Sequence, residues 1–203
     1  MLLDVEVSQL VLVDYQVRLM PAMFEASVVQ ANAVRLAHLA ALLQVPAFAT
    51  EQNPARLGGS IPELQDALQK ASAQVLAKMR FSAVQEGLGA LLRPPVKPVQ
   101  GNARSLPRHL QKNTTGIERA SVVLAGCEAH VCLLQTALEL LEEDFEVWVV
   151  TDACSSRTER NRDAAFDRLA GVGVELVTTE MVVFEWLRSA EHPDFKAAQA
   201  LIK

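Results

Sequence analysis

The sequence predicts one doubly wound α/β domain, in which helices cover both faces of a parallel β-sheet. Three observations predict this fold. Short apolar runs alternate with helical patterns, as in successive βαβ units. The 203 residues suffice for one domain with a sizeable core but are short for two. Reactive side chains follow several strands, where open parallel sheets bind ligands. We therefore expect a single domain over residues 1–203.

The first half of the chain contains three predicted strands and one long helix. An apolar strand at 10–13 is followed by residues 29–43, where apolar side chains recur every three or four positions and predict a helix. Residues 46–49 form a second short strand, which begins with proline because its first residue needs no ladder donor. A third, weaker strand is expected at 74–77.

The second half of the chain repeats this alternation after one irregular segment. Strands are expected at 121–125, 145–150 and 174–177, with helices at about 131–141 and 160–170, and one or two further helices broken at His192-Pro193. Residues 93–118 contain four prolines and two glycines without sustained periodicity. Because loops of this length are uncommon in compact domains, this insertion is either a solvated excursion or an active-site cover.

The composition excludes several classes of function. A net charge of −5, without clustered basic and aromatic residues, argues against a nucleic-acid partner. No apolar run approaches the roughly 20 residues of a membrane span. The N-terminus has no basic segment typical of a signal peptide, and three cysteines then favour a reducing cytoplasm. No CxxC pair, clustered histidines or glycine-rich phosphate loop occurs, so we expect no metal and no cofactor.

Four reactive residues lie at or just beyond the predicted strand ends. Asp14 follows the first strand, Glu51 lies past the second, Lys78 follows the third, and Cys132 opens the helix after the fourth. The carboxyl ends of parallel strands share one edge of the sheet, so these side chains are expected on one rim. Their common position, rather than any single residue, predicts an active site.

Cys132 is the most informative of these residues. An ordinary thiol is only a few per cent ionised at neutral pH, and a helix N-terminus contributes only about 0.3–1 kcal/mol to its ionisation. The thiol therefore needs a proton acceptor and a nearby cation, for which Asp14 and Lys78 are the candidates.

Four other residues receive simpler interpretations. His130 stays an alternative base, although residues two apart in a helix point to nearly opposite sides. Cys127 and Cys154 are expected in the core, because free cysteine is often buried. Asp152 is expected to cap a helix or loop rather than to act in catalysis.

Several stretches of the chain together resemble the isochorismatase-like cysteine hydrolase superfamily. They are Leu12-Val13-Asp14-Tyr15-Gln16, Thr50-Glu51-Gln52-Asn53-Pro54, Lys78-Met79-Arg80-Phe81-Ser82, residues 126–138 with 152–157, and His192-Pro193-Asp194-Phe195-Lys196. The resemblance is strongest to the isochorismatase-domain-containing hydrolases and covers most of the chain outside residues 93–118. The Asp, Lys and Cys motifs are specific as an ordered set.

The resemblance implies a three-layer fold with six parallel strands in the order 3-2-1-4-5-6, which places strands one and four side by side. It implies a catalytic triad of Asp14, Lys78 and Cys132. It also implies a non-proline cis peptide between Cys127 and Glu128, and an oxyanion hole formed by the backbone N–H groups of Glu128 and Cys132.

Two departures from the superfamily bear on the chemistry. Nicotinamidases carry an Asp-x-His metal motif after the second strand, whereas this chain has Thr50-Glu51-Gln52. Isochorismatases proper generally lack the nucleophilic cysteine, so Cys132 indicates amide chemistry. Gln52, on the same rim, is a candidate substrate contact.

The sequence thus predicts a cytoplasmic hydrolase of a small amide or related C–N bond, acting through a thioester. We expect a small-molecule substrate, no nucleic-acid or membrane partner, and a homo-oligomer, as is usual in the resembling family. Two other classes remain open. One is a binding or scaffold protein that kept the fold, and the other is a redox-responsive protein using Cys127 and Cys132.

Overall fold

The described part of the computed structural model, residues 1–94 and 119–203, contains a six-stranded sheet. Its strand order is β3-β2-β1-β4-β5-β6, and every neighbouring pair is parallel. The strands are β1 (Ser8–Val13), β2 (Ala47–Gln52), β3 (Gln74–Lys78), β4 (Ser121–Gly126), β5 (Glu146–Val150) and β6 (Glu175–Val177). This confirms the predicted parallel sheet and the strand order that the resemblance implies.

The helices form two groups around this sheet. They are α1 (Ala26–Leu42), α2 (Pro54–Leu57), α3 (Pro62–Lys70), α4 (Leu88–Leu92), α5 (Leu134–Glu142), α6 (Glu159–Gly171), α7 (Thr179–Leu187) and α8 (Phe195–Leu201). Helix α1 packs against α3, α7 and α8, whereas α5 packs against α6. The two groups are consistent with the layers of a doubly wound fold.

Burial along the strands explains why some were easier to predict than others. Strands β1 and β4, at the centre of the sheet, are buried along their whole length. A central parallel strand is covered on both faces, so its sequence is nearly continuously apolar. Strand β3 lies at the edge and is buried only at Lys78, which accounts for its weak pattern.

Two features differ from the prediction, and a third lies where the structure gives no description. Strand β2 continues to Gln52, so Glu51 lies within the strand rather than past its end. Helix α3 was not predicted; it begins with Pro62 at its first position, where proline needs no N–H partner. The predicted insertion at 93–118 lies outside the described residues, apart from its first two positions.

No helix among the described residues is long and apolar enough to cross a membrane.

Candidate active site

The strand order reverses between β1 and β4, and the three predicted catalytic residues meet at this point. Asp14 directly follows β1, Lys78 ends β3, and Cys132 lies in the helical turn after β4. Lys78 Nζ lies 2.8 Å from Asp14 Oδ2, and both side chains are fully buried. The charges of both also act on the Cys132 thiol, whose sulfur lies 4.0 Å from the same Gln52 Oε1 that Lys78 contacts. A thiol, a carboxylate and an ammonium therefore share one crevice.

Asp14 is held by the neighbouring strand at both its backbone and its side chain. Its backbone N–H donates to the carbonyl of Thr50 at 3.1 Å, and its φ of 55° turns the chain sharply where β1 ends. The hydroxyl of Thr50 donates to Asp14 Oδ1 at 2.7 Å. The two carboxylate oxygens thus have different partners, a neutral hydroxyl on Oδ1 and an ammonium on Oδ2.

Lys78 is buried at the end of an otherwise exposed strand. Its Nζ donates to Asp14 Oδ2 at 2.8 Å, to Gln52 Oε1 at 2.7 Å and to the carbonyl of Phe81 at 3.0 Å. A further carbonyl, of Arg80, lies 3.4 Å away. An ammonium has three N–H groups and no lone pair, so these acceptors use its full capacity. This environment suits a charged lysine that orients its neighbours.

Cys132 lies in a short π-helix, Ala129–Leu133, that leads into α5. Its sulfur lies 4.0 Å from Gln52 Oε1, and the residue is 6% exposed. Burial, then the negative charge of Asp14, raises the pKa of the thiol to about 12, against the opposing effect of Lys78. At neutral pH the site therefore holds a neutral thiol beside a carboxylate that can accept its proton.

The loop between β4 and the π-helix carries the other residues that the resemblance implied. The Cys127–Glu128 peptide bond is cis. The carbonyl of Glu128 accepts hydrogen bonds from the backbone N–H groups of Val131 and Leu133, and its side chain accepts one from Arg157 Nε at 2.8 Å. The backbone of Glu128 is thus anchored to the turn that carries Cys132.

Gln52 lies on the predicted rim, and its side-chain amide contacts the catalytic group. Its Oε1 accepts from Lys78, while its Nε2 donates to the carbonyl of Met79 at 2.7 Å. Gln16 holds its backbone, because the N–H of Gln52 donates to Gln16 Oε1 at 2.8 Å and its carbonyl accepts from Gln16 Nε2 at 3.0 Å. The predicted contact with substrate stays a prediction.

Glu51 and His130 do not join the triad. Glu51 Oε1 accepts from the backbone N–H and the hydroxyl of Ser60, because successive residues of a strand face opposite sides and Glu51 points away from the face that carries Thr50 and Gln52. The ring of His130 pairs with the hydroxyl of Ser156 at 2.9 Å. The expectation that Glu51 shares the rim site is therefore wrong, and the alternative of His130 as base gains no contact with the thiol.

The remaining candidates have structural positions. Asp152 Oδ1 accepts from both the backbone N–H and the hydroxyl of Thr179, the first residue of α7. Cys127 and Cys154 are free and buried in the hydrophobic core. These positions agree with the capping and core interpretations.

Two residues around the site were not assigned roles in the sequence. Thr50 contacts Asp14, and Gln16 clamps Gln52 while also donating to the carbonyl of Gly58 at 2.6 Å. The period-two pattern of a strand was the available signal for Thr50, because it shares a face with Gln52. This signal was not used, because β2 was predicted to end at residue 49, before Thr50 and Gln52.

Among residues 1–94 and 119–203, no three His, Cys, Asp or Glu side chains are grouped so that they could hold a metal ion.

Comparisons with known protein sequences identify related chains along most of this one. The family model of the isochorismatase domain matches residues 8–181. Isochorismatase domain-containing protein 2A of Mus musculus is 35% identical over 199 residues, which cover 98% of this chain and 84% of that protein. The secreted isochorismatase effector Isc1 of Phytophthora sojae is 38% identical over 165 residues, which cover 81% of this chain and 69% of that protein.

Solved structures share the same fold over nearly the whole chain. The structure titled MAR1 ribonuclease from Caenorhabditis elegans has a TM-score of 0.84 and 29% identity, covering 100% of this chain and 92% of that one. The YcaC gene product of Escherichia coli, titled an octameric hydrolase of unknown specificity, has a TM-score of 0.78 and 25% identity, covering 98% of this chain and 87% of that one.

Proposed function

This chain belongs to the isochorismatase family, and we propose that it hydrolyses a small amide or related C–N bond with Cys132 as its nucleophile. Family membership confirms the resemblance that the motifs indicated and supports a hydrolase. The observation that carries the finer proposal is the buried Asp14–Lys78 ion pair, whose charges act on the neighbouring Cys132 thiol. The proposal assigns a separate role to each of these side chains.

The first half-reaction forms a thioester. Asp14 accepts the thiol proton as the sulfur attacks the substrate carbonyl, because burial keeps the resting thiol neutral. Lys78 stays an ammonium and stabilises the charge of Asp14 before the proton moves. When the tetrahedral intermediate collapses, the C–N bond breaks and protonated Asp14 returns the proton to the leaving amine.

The tetrahedral intermediate carries its negative charge on the former carbonyl oxygen. We assign its stabilisation to the backbone N–H groups of Glu128 and Cys132, which lie at and just before the first helical turn after β4. Such turns leave N–H groups without helical partners, and donors fixed in advance can contribute about 2.7–4 kcal/mol each.

The second half-reaction releases the acid. Asp14, again a carboxylate, takes a proton from water as the water oxygen attacks the thioester carbonyl. The C–S bond then breaks, and the thiolate regains the proton from Asp14. The cycle leaves one carboxylic acid and one amine for each water consumed, and the protein returns to its starting state.

Three further features are proposed for the whole protein. Its substrate is a small molecule, its three free thiols favour a reducing compartment such as the cytoplasm, and it assembles as a homo-oligomer. The octameric hydrolase of Escherichia coli supports oligomer formation. Because a Caenorhabditis elegans relative is titled a ribonuclease, RNA is the natural second substrate class to test, although a net charge of −5 disfavours it.

The decisive experiment compares Cys132→Ala with Cys154→Ala on a library of small amides, monitored by ammonia release. We expect Cys132→Ala to lose at least about 10³-fold in kcat/KM and Cys154→Ala to keep most of its activity. With a slow amide, intact-mass analysis should show an acyl adduct on the wild type that is absent from Cys132→Ala.

Three results would replace this proposal. Full turnover by Cys132→Ala would exclude nucleophilic catalysis by the thiol. Inertness of the wild type towards all amides, together with tight capture of a partner, would favour the binding or scaffold alternative. If the wild type cleaved RNA in parallel assays and Cys132→Ala retained this activity, the protein would catalyse a different reaction.

A further inference from the structure

Strand β2 ends beside the catalytic group and presents two polar side chains to it. Thr50 and Gln52 are alternate residues and share one face of the strand, whereas Glu51 faces the other side and contacts Ser60. We propose that Thr50 and Gln52 are positioning residues, which fix the orientation of the Asp14 carboxylate and of the Lys78 side chain beside Cys132. This inference rests on the proposed function.

The hydroxyl of Thr50 acts on the carboxylate. Its Oγ1 donates to Asp14 Oδ1 at 2.7 Å, and both residues are almost completely buried. A hydrogen bond donated to a buried carboxylate favours the ionised form, and only the ionised form can take the proton of Cys132. The same bond fixes the rotation of the carboxylate.

The amide of Gln52 acts on the ammonium. Its Nε2 donates to the carbonyl of Met79, so its Oε1 must face Lys78, where it accepts at 2.7 Å. The side chain of Gln16 holds the backbone of Gln52 from both the N–H and the carbonyl side. Met79 and Lys78 therefore orient the amide, while Gln16 holds the backbone that carries it.

This amide oxygen also faces the nucleophile. Cys132 Sγ lies 4.0 Å from Gln52 Oε1, so the amide is a resting partner for the thiol hydrogen beside Asp14. A neutral acceptor at this position orients the thiol without adding a second negative charge against it. The Lys78 ammonium has no lone pair with which to accept a proton, so Asp14 is the group that takes the proton of the thiol.

The experiment measures the reactivity of Cys132 with iodoacetamide as a function of pH, by peptide mass spectrometry on the full-length chain. We expect Thr50→Val to lower the rate about tenfold at neutral pH, because the carboxylate of Asp14 loses the hydrogen bond that orients it. Thr50→Ser keeps the donor and should retain the wild-type profile.

A matched control and a second variant complete the test. Thr151→Val removes a hydroxyl that donates to the carbonyl of Val177 instead of a carboxylate, and it should leave the profile unchanged. Gln52→Met removes the acceptor from Lys78 at a half-buried position, and it should slow alkylation severalfold. This variant carries the test if Thr50→Val does not fold.

The outcomes separate this inference from the proposed function. A Thr50→Val profile identical to that of the wild type, or a Thr50→Ser profile matching that of Thr50→Val, would overturn the positioning role. Expected profiles without hydrolysis of any amide would support the positioning role and reject the proposed function. Alkylation of the wild type no faster than that of Asp14→Asn would reject both.

Discussion

Two buried thiols of this protein have the same raised pKa and very different surroundings. The pKa is about 12 for both Cys132 and Cys154, and burial is the largest cause in each case. The next contributions for Cys132 are the charges of Asp14 and Lys78. For Cys154 they are a backbone hydrogen bond from Gly126, which lowers the pKa, and the more weakly acting charge of Asp152.

The comparison shows that the pKa of the thiol does not identify the nucleophile here. Both thiols are neutral at pH 7, so neither is activated by easy ionisation. They differ in whether a carboxylate lies within reach to take the proton during attack. Asp152 caps the start of α7 through Thr179 and is the weakest of the three influences on Cys154, whereas Asp14 is the strongest charge acting on Cys132. Reactivity therefore depends on the partner of the thiol.

Removing the base should make Cys132 resemble Cys154, and this is the largest effect that we expect. Asp14→Asn preserves the size of the side chain but cannot accept the thiol proton. We expect kcat/KM for an amide substrate to fall by at least about 10³-fold, within the range for general acid–base catalysis.

The control for this substitution is Asp152→Asn, which makes the same change in the carboxylate nearest Cys154. It should weaken the start of α7 and leave kcat/KM within about twofold of the wild type at a temperature where both variants are folded. If Asp14→Asn kept its activity, the distinction between the two thiols would be wrong.

The sequence predicts the positions of Asp14 and Cys132 more strongly than that of Lys78. Asp14 and Cys132 follow β1 and β4, central strands whose continuous apolar runs mark where the chemistry begins. Lys78 ends an exposed edge strand, so the strand that positions it was only weakly predicted. The fold and the triad positions were therefore accessible from sequence.

The contacts around the triad were not accessible in the same way. The hydrogen bonds of Thr50 and Gln52 depend on which face of β2 each side chain occupies, and a single-residue error in phase exchanges the faces. Strand β2 was predicted to end at residue 49, so its last three residues were treated as a loop. The raised pKa of Cys132 depends on burial in three dimensions, which local sequence does not report.

Removing the ammonium of Lys78, which lies only in the region of Cys132, should lower the stability of the protein. Lys78→Met leaves the buried carboxylate of Asp14 without its cation, and we expect the free energy of unfolding to fall by about 3–5 kcal/mol. Urea denaturation at pH 7 measures this change. The double variant Lys78→Met with Asp14→Asn should regain part of the loss, because the uncompensated charge is removed.

The matched control is Lys70→Met, at the last position of α3, where the lysine is exposed. Surface substitutions of this kind usually change stability by less than about 0.5 kcal/mol. A loss of stability as small in Lys78→Met as in Lys70→Met would mean that Asp14 and Lys78 are not a buried ion pair in solution.

The smallest expected effect is on the alkaline pH dependence of stability, which tests whether the pKa of Cys132 equals that of Cys154. Each thiol changes from an ordinary value of 9.0 to about 12 on folding. Above pH 9 the unfolded chain therefore loses protons that the folded chain keeps. Stability is complete below about pH 9 and falls as the pH rises towards 12, by roughly 1 kcal/mol per pH unit for each thiol.

Cys132→Ala and Cys154→Ala should each reduce this alkaline slope by the same amount, whatever they cost in stability at pH 7. Urea denaturation at several pH values between 8 and 10.5, under reducing conditions, measures the two slopes. An unchanged slope in Cys132→Ala, beside a reduced one in Cys154→Ala, would mean that Cys132 ionises as readily when folded as when unfolded. At pH 7 that thiol would still be mostly neutral, but its pKa would no longer match that of Cys154, and the comparison between the two thiols would be wrong.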